Sequence, residues 1–503
     1  IKKKMSANPR ILAGRAAWLG FDLDHTLVRY EMGALLPLIY ESLVAHICAN
    51  PAAAALRLEA KSALRGAPFD AAFCQKGIVF DLQTGDMLKL DAAGRVARAR
   101  HGYGNSTSST PTAAEASSSS LSGWLDRDRI VTRYGGEKWR GFDALNASWK
   151  APDALLFMTY FDIPAVQICA MLVDEIDRSA RREGSGAAAM SCAEQAAPAL
   201  RYVDIPPLLF AAFNDSFDAP QFAAGAGGYF PTVRRDAARF VRDRADVARW
   251  LASLRATSGT RTFIVTNSSY DYAQLLLTSA FGAEWRTLFD FCVYDAKKKK
   301  PRGFFACSLT PDLPAQPFLR FNRDGAQNVE EDTPADFATD VAAALATSDD
   351  SECVEFVGGS WVAAEAFMLS EIESRCGVVD EAAQHHPIVY CGDDYNGDID
   401  LVTQCGARNV SDDVGGASRG WGTVAIVEEL AEEEEEEEED SLPVVASAME
   451  SWGAMHWCEQ SVDAECGVYV RTPSWLGSKI AATADAAVAD VADLAAEPSR
   501  GTV

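Results

Sequence analysis

The chain has 503 residues, 48% of them hydrophobic and 23% charged, and a formal net charge of −26. That is enough chain for about three domains, or for one core with large insertions, and enough apolar residue for a buried interior. The acidic balance argues against a nucleic-acid polymer as main partner, because a phosphate backbone selects Lys and Arg. Twelve cysteines are scattered with no Cys-x-x-Cys pair, which argues against a zinc or redox motif and fits a reducing compartment. No apolar run looks long enough to span a membrane. The opening IKKKMSANPR has basic residues but no apolar stretch behind them, a poor secretory signal. A cytoplasmic location and no membrane partner are therefore expected.

Ile11 to Phe21 reads as a lead-in and first strand. The stretch WLGFDLDHTLVRY, Trp18 to Tyr30, is an apolar strand that ends in Asp22 and Asp24, followed by Thr26. With a side-chain period of two, Asp22 and Asp24 project from the same side of the strand end. In open α/β sheets that end is where ligands bind. Two carboxylates there can hold a hard cation such as Mg²⁺; one can also attack phosphorus while the other handles a proton. The plain alternative is a turn and helix cap, for which Asp is well suited.

Leu35 to Ala49 is apolar at helical spacing. Gly77 to Asp91 reads as two short strands joined at Thr84, Gly85 and Asp86, a hairpin signal. Asn105 to Gly123 is a Ser/Thr/Ala-rich stretch expected to be a disordered insertion. Helical periodicity resumes after Pro164, and residues 182–198 form a second loose insertion. From Val241 apolar strands alternate with amphipathic helices, the grammar of a parallel sheet with right-handed crossovers. The run Glu432 to Asp440 reads as a solvated loop. After Leu442 the chain reads as a weakly structured tail with an Ala/Asp-rich helix near Ala481 to Ala496.

Three later strand ends carry chemistry. Thr266, with Asn267 and Ser268, follows TFIV; a hydroxyl and backbone N–H groups at such a turn bind phosphate oxygens, or simply cap the next helix. The run KKKKP, Lys297 to Lys300, offers a cation for a phosphate; Lys297, Lys298 and Lys299 read as a solvated loop. YCGDDYNGDID places Asp393, Asp394 and Asp398 after an apolar strand, a pattern suited to Mg²⁺ or to an acidic turn.

In this order, Asp-x-Asp-x-Thr, a strand-end Thr, a Lys, then Gly-Asp-x-x-x-x-Asp, the chain resembles the haloacid dehalogenase superfamily of Asp-dependent phosphotransferases. FDLDHTLVRY, GIVFDLQTGDMLKLD, TYFDIPAVQICAMLVD, YFPTVRRDAARFV, VTNSSYDY, KPRGFF, VGGS, YCGDDYNGDI and GTVAIVEEL are similar to the cytosolic purine 5′-nucleotidase family, from about Leu19 to Leu430. The resemblance implies an α/β Rossmann-like core, with a mostly parallel sheet, over residues 11–30 and 233–430. A large cap would be inserted after the first strand, over 31–232, with a disordered stretch at 105–123. An acidic disordered loop at 431–442 and a tail at 443–503 would follow.

The resemblance also implies roles. Asp22 is the expected nucleophile and Asp24 the acid and base. Thr266, Asn267 and Lys300 would hold the phosphoryl group, Lys300 being the Lys directly before Pro301. Mg²⁺ would sit among Asp22, Asp24 (through its backbone carbonyl), Asp393 and Asp398. In the cap, Phe161 and Asp162 occupy the place of an aromatic-Asn turn that contacts the nucleobase. The expected function is a Mg²⁺-dependent phosphomonoesterase acting on a small phosphorylated metabolite, a nucleoside 5′-monophosphate. The alternatives are a phosphatase for another small ester, or a non-catalytic scaffold on the same fold. A homo-oligomer is implied by the family alone.

Overall fold

The computed structural model describes residues 8–51, 56, 58–104, 123–184, 200–309, 312–320, 336–346, 353–376, 386–408, 421–430, 451–452, 455, 457–458 and 472–495. The Ser/Thr-rich stretch at 105–122 and the acidic run at 432–440 lie outside these residues. The strands, in chain order, are β1 (Trp18–Phe21), β2 (Ile78–Asp81), β3 (Asp86–Leu90), β4 (Val96–His101) and β5 (Ala154–Phe157). They continue with β6 (Arg261–Val265), β7 (Phe291–Tyr294), β8 (Phe318–Arg320), β9 (Val354–Gly358), β10 (Ile388–Gly392) and β11 (Gly422–Ile426). Two-residue strands β12 (Trp457–Cys458) and β13 (Thr472–Pro473) precede β14 (Ala486–Val488). The chain divides into two compact units, one of residues 1–31, 236–434 and 480–503, the other of residues 32–235 and 435–479.

The first unit holds an eight-stranded sheet in the order β14-β11-β10-β1-β6-β7-β9-β8. All neighbours are parallel except β8, which runs antiparallel to β9 at the edge. This is the mostly parallel α/β sheet read from the sequence. WLGF, FCVY and IVYCG are buried at every position, as strands covered on both faces must be. From β1 the chain builds outward through β6, β7 and β9, then returns to lay β10 on the other side of β1. The order therefore reverses at β1, and a crevice opens there at the carboxyl ends of the strands.

The register of β1 against β6 depends on a glycine. Gly20 pairs with Phe263, and the Phe263 ring lies where a side chain on Gly20 would be, 2.2 Å from an ideal Cβ. That ring stacks on Phe291 at 4.9 Å between centroids and meets Trp18 edge-on. The absent side chain lets these aromatics fill one face of the sheet beside Asp22.

The sequence reading of the tail is corrected here. Ala486–Val488 is a strand, parallel to β11, and Val491–Leu494 a short 3₁₀ turn. The expected helix over 481–496 is confined to the end of the helix Trp475–Thr483. A run as small as Ala-Ala-Val shows no periodicity of its own, so its state is set by the sheet edge it joins.

The second unit contains a four-stranded antiparallel sheet in the order β4-β3-β2-β5, including the predicted hairpin between β2 and β3. The helix Met32–Ala49 has a mean hydropathy of 1.5 and is long and apolar enough by composition to cross a membrane, which the sequence reading did not anticipate. In the unit its apolar residues, among them Leu35, Ile39, Leu43 and Ile47, are buried, and it packs on the helices Pro164–Gly184 and Ile205–Phe217.

A polar hub ties this unit together. His101 bonds through Nδ1 to Asp86 at 2.6 Å and through Nε2 to Asp177 at 2.9 Å. Tyr134 donates to Asp86 and Tyr202 to Asp177. Burial alone would lower the imidazole pKa, but the two carboxylates outweigh it and raise it to about 9.

Two predictions follow from these packing constraints. Gly20→Ala forces the Phe263 ring to move and should lower unfolding free energy by about 1–3 kcal/mol, read by urea denaturation. The folded protein holds the His101 proton more tightly than the unfolded chain, whose ordinary value is 6.5. Its stabilisation is thus complete below pH 6.5 and is lost as pH rises through about 9. Stability of the wild type should therefore converge on that of His101→Gln over this window; parallel curves would exclude the coupling.

Candidate active site

The segment after β1 is anchored on β10 by the Asp22 amide, which donates to the Cys391 carbonyl at 2.9 Å. Leu23 and Val28 then close a short loop, with the Val28 amide donating to the Leu23 carbonyl at 2.9 Å. His25 takes a left-handed conformation, φ 56°, uncommon for a residue with a Cβ. The loop directs Asp22 and Asp24 to different surroundings.

Asp24 is held by neutral hydroxyls. Its Oδ1 accepts from Tyr30 at 2.5 Å and its Oδ2 from Ser268 at 2.7 Å. Ser268 comes from the turn after β6, where the Thr266 Oγ1 accepts from the Ser268 amide at 3.0 Å. Thr266 itself is buried.

Asp22 faces a cation. The Lys298 ammonium donates to Asp22 Oδ1 at 2.5 Å and to Asp398 Oδ1 at 2.7 Å, and the lysine is buried. The path after β7 makes this possible. Asp295 and Lys297 both adopt positive φ, 47° and 48°, and Gly303 lets the Lys297 carbonyl approach to 1.8 Å from where a Cβ would stand. Asn267 Oδ1 accepts from the Lys298 amide at 2.9 Å and so fixes which lysine of the run turns inward.

After β10 the chain makes a π-helical turn, Tyr395–Asp400, a feature frequent at functional sites. It returns Asp398 beneath the strand end, where its Oδ2 accepts from the Asp394 amide at 3.2 Å. Asp22, Asp393 and Asp398 are all buried, and each offers a carboxylate oxygen within 4.8 Å of the others. Two of these carboxylates, Asp22 and Asp398, share the Lys298 ammonium, and Asp393 lies beside them. Burial pushes Asp22 upward; Lys298 opposes this, while Asp24 adds to it. Burial likewise raises Asp398 to about 8, with Lys298 opposing and Asp22 and Asp394 adding. Burial would pull Lys298 down, but Asp22 and Asp398 hold it well above its ordinary value, so it stays protonated. A closely spaced all-oxygen donor set of this kind fits a hard divalent cation such as Mg²⁺.

The sequence-derived residues are distributed as follows. Asp22, Asp24, Thr266, Asn267, Asp393 and Asp398 lie at the carboxyl ends of β1, β6 and β10. Asp24 is outside the three-carboxylate group, its side chain being engaged by Tyr30 and Ser268. Lys300 requires a correction: it is exposed, and Lys298, read from sequence as part of a solvated loop, makes the site contacts. Lys299 pairs with Asp394 at 2.7 Å. Phe161 and Asp162 belong to the second unit. Asp162 accepts from the amides of Met158 and Thr159 at 3.0 and 2.9 Å, capping its own turn, and Phe161 packs edge-on against Phe217. Tyr30 and Ser268 were missed as partners of Asp24. Ser268 was adjacent to a recognised strand end, whereas nothing in the spacing of Tyr30 pointed back to Asp24.

Fold and site together define a doubly wound α/β protein with an Asp/Lys centre at its topological switch point. A model of the 5′ nucleotidase family matches residues 7–452, and the chain belongs to that family. It is 28% identical to human (Homo sapiens) 5′-nucleotidase domain-containing protein 1 over 312 residues, 61% of this chain and 57% of the relative. The bovine (Bos taurus) protein of the same name is 26% identical over 309 residues, with 61% and 57% covered. Rat (Rattus norvegicus) 5′-nucleotidase domain-containing protein 2 is 22% identical over 297 residues, 58% of this chain and 44% of the relative. The chain thus spans little more than half the length of the first two relatives.

Replacing Lys298 by Met leaves buried carboxylates without their cation. In EDTA, Lys298→Met should cost about 3–5 kcal/mol of unfolding free energy, whereas Lys300→Met, at an exposed position, should change the urea midpoint little. Equal effects would reverse the assignment.

Proposed function

We propose that the protein is a Mg²⁺-dependent phosphomonoesterase that hydrolyses nucleoside 5′-monophosphates through an aspartyl-phosphate. The observation that carries this reading is the Lys298 ammonium bridging Asp22 and Asp398, with Asp393 beside them. Family membership supports the substrate class.

In this reading an Asp22 carboxylate oxygen attacks phosphorus and the bond from phosphorus to the nucleoside 5′-oxygen breaks. Asp24 gives its proton to that leaving oxygen. In the second half Asp24 takes a proton from water, the water oxygen attacks the phosphorus of aspartyl-phosphate, and inorganic phosphate leaves with Asp22 restored. Tyr30 and Ser268 keep the Asp24 carboxylate aimed in both halves. Lys298 and the hydroxyl and amides around Thr266 offset the charge of the transferring group, the main requirement of phosphoryl transfer. Asp22, Asp393 and Asp398 would hold Mg²⁺, with the Asp24 carbonyl, and the ion would shield the nucleophile from the anionic phosphate.

A second reading, a phosphatase for another small ester, is favoured by Asp162. Its carboxylate accepts from two backbone amides of its own turn, and unlike Asn it has no amide donor for a base. The described cysteines are buried thiols outside any disulfide among the described residues, which supports a reducing, cytoplasmic compartment.

The test is phosphate release across nucleoside monophosphates and sugar phosphates, with Mg²⁺ and with EDTA. Turnover should need Mg²⁺ and fall on the order of 10³-fold or more in Asp22→Asn. Asp393→Asn should raise the Mg²⁺ concentration for half-maximal rate. The preferred ester decides between the two readings. Turnover that survives Asp22→Asn removes the proposed nucleophile, and folded protein inactive on every ester removes the phosphatase reading.

A further inference from the structure

The loop that carries Asp22 and Asp24 is held from behind by charges that the reaction does not use. Arg29 lies at its far end and is buried. Its Nη1 lies 2.9 Å from Glu428 Oε1 and donates to the Ala489 carbonyl at 3.2 Å, and its Nε lies 3.2 Å from Asp490. The same Glu428 oxygen is 3.3 Å from His25 Nδ1. Asp490 is itself gripped at two points by Arg244, at 2.7 and 2.5 Å. Glu428 follows β11 and Asp490 follows β14, so two outer strands converge on the loop of the inner one.

We propose that Glu428, together with Arg29 and Asp490, is a positioning clamp for Asp24. The contacts fall on residues 25 and 29, flanking the turn that aims Asp24. His25 is the residue with positive φ, a conformation that persists where surrounding contacts enforce it. Its ring lies 4.8 Å from the ring of Tyr30, whose hydroxyl holds Asp24. The Tyr30 backbone is paired with Val241, so displacement of His25 acts on the Tyr30 ring and, through it, loosens one of the two hydroxyls on Asp24. Buried ion pairs are weak sources of net stability, and their best-attested use is to fix one geometry among several. Glu428 is outside the carboxylate group that suits a metal, so its effect passes through the loop.

The kinetic part of this inference rests on the phosphomonoesterase reading; the structural part does not. Glu428→Ala, Glu428→Gln and Arg29→Lys are compared with wild type in two assays. The first is phosphate release from the best ester in saturating Mg²⁺. A small misplacement of a reacting group costs on the order of 10²-fold, so Glu428→Ala should lower kcat by about 10- to 100-fold with KM within about twofold. Glu428→Gln should retain kcat within a few-fold, because one amide oxygen can accept from both Arg29 and His25. Arg29→Lys keeps the charge but has a single ammonium for three widely placed acceptors, and should lose kcat as Ala does.

The second assay is amide hydrogen exchange of residues 23–30. Protection should fall in Glu428→Ala and Arg29→Lys and persist in Glu428→Gln, with exchange in β6 and β7 unchanged. An unchanged kcat in both Arg29→Lys and Glu428→Ala, a rise in KM alone, or unchanged exchange over 23–30 overturns the clamp. If wild type is inactive on every ester, the proposed function fails, and the exchange pattern alone decides for or against the clamp.

Discussion

A single buried ammonium makes the rest of the centre possible. Asp22, Asp393 and Asp398 meet at the ends of β1 and β10 with little water to solvate them, and isolated buried carboxylates would neutralise rather than stay ionised. Lys298 lies between two of them and keeps both within hydrogen-bond reach. Asp393 completes a close set of carboxylate oxygens that could hold a hard cation. The same ammonium that lets Asp22 and Asp398 lie buried side by side therefore also holds them in place for the chemistry proposed above.

The sheet order explains why these groups can meet at all. Reversal of the strand order at β1 opens a crevice between loops that leave in opposite directions. The turn after β6 brings Thr266, Asn267 and Ser268 to one side of Asp22, and the turn after β10 brings Asp393 and Asp398 to the other. Lys298 comes from the loop after β7, one strand further out, and must fold back to reach Asp22. The two positive-φ residues and the close approach at Gly303 are what that reversal requires. Asn267 links the two loops directly, so a residue expected to bind phosphate also sets the position of the lysine.

Most of the centre was legible because strand ends are legible. An apolar run that stops at an acid or a hydroxyl places that side chain at the carboxyl edge of a parallel sheet, and Asp22, Asp24, Thr266, Asp393 and Asp398 were found in that way. The lysine was not. Four consecutive lysines have the same chemistry, and only backbone reversal at Asp295 and Lys297 distinguishes Lys298 from Lys300. Proximity to Pro301 was a poor substitute for that geometry. The tail failed for a related reason. β14 is three small residues whose conformation is set by pairing with β11, an interaction between segments some sixty residues apart, and Asp490 in the clamp was hidden with it. Tyr30 was legible as part of a motif but not as the donor to Asp24, because that contact depends on how the loop closes.

The contrast between Asp22 and Asp24 gives the deepest reason for the roles proposed here. The two carboxylates are separated by one residue and leave the same strand, yet one meets a fixed positive charge and the other two neutral hydroxyls. In the proposed reaction Lys298 would face the carboxylate that attacks phosphorus and then carries the phosphoryl group. In the same proposal Tyr30 and Ser268 would keep the Asp24 carboxylate aimed in both halves of the reaction, since a hydroxyl can donate to a carboxylate and accept from an acid. The loop closed between Leu23 and Val28, left-handed at His25, thus holds the two acids of one Asp-Leu-Asp strand end against different partners.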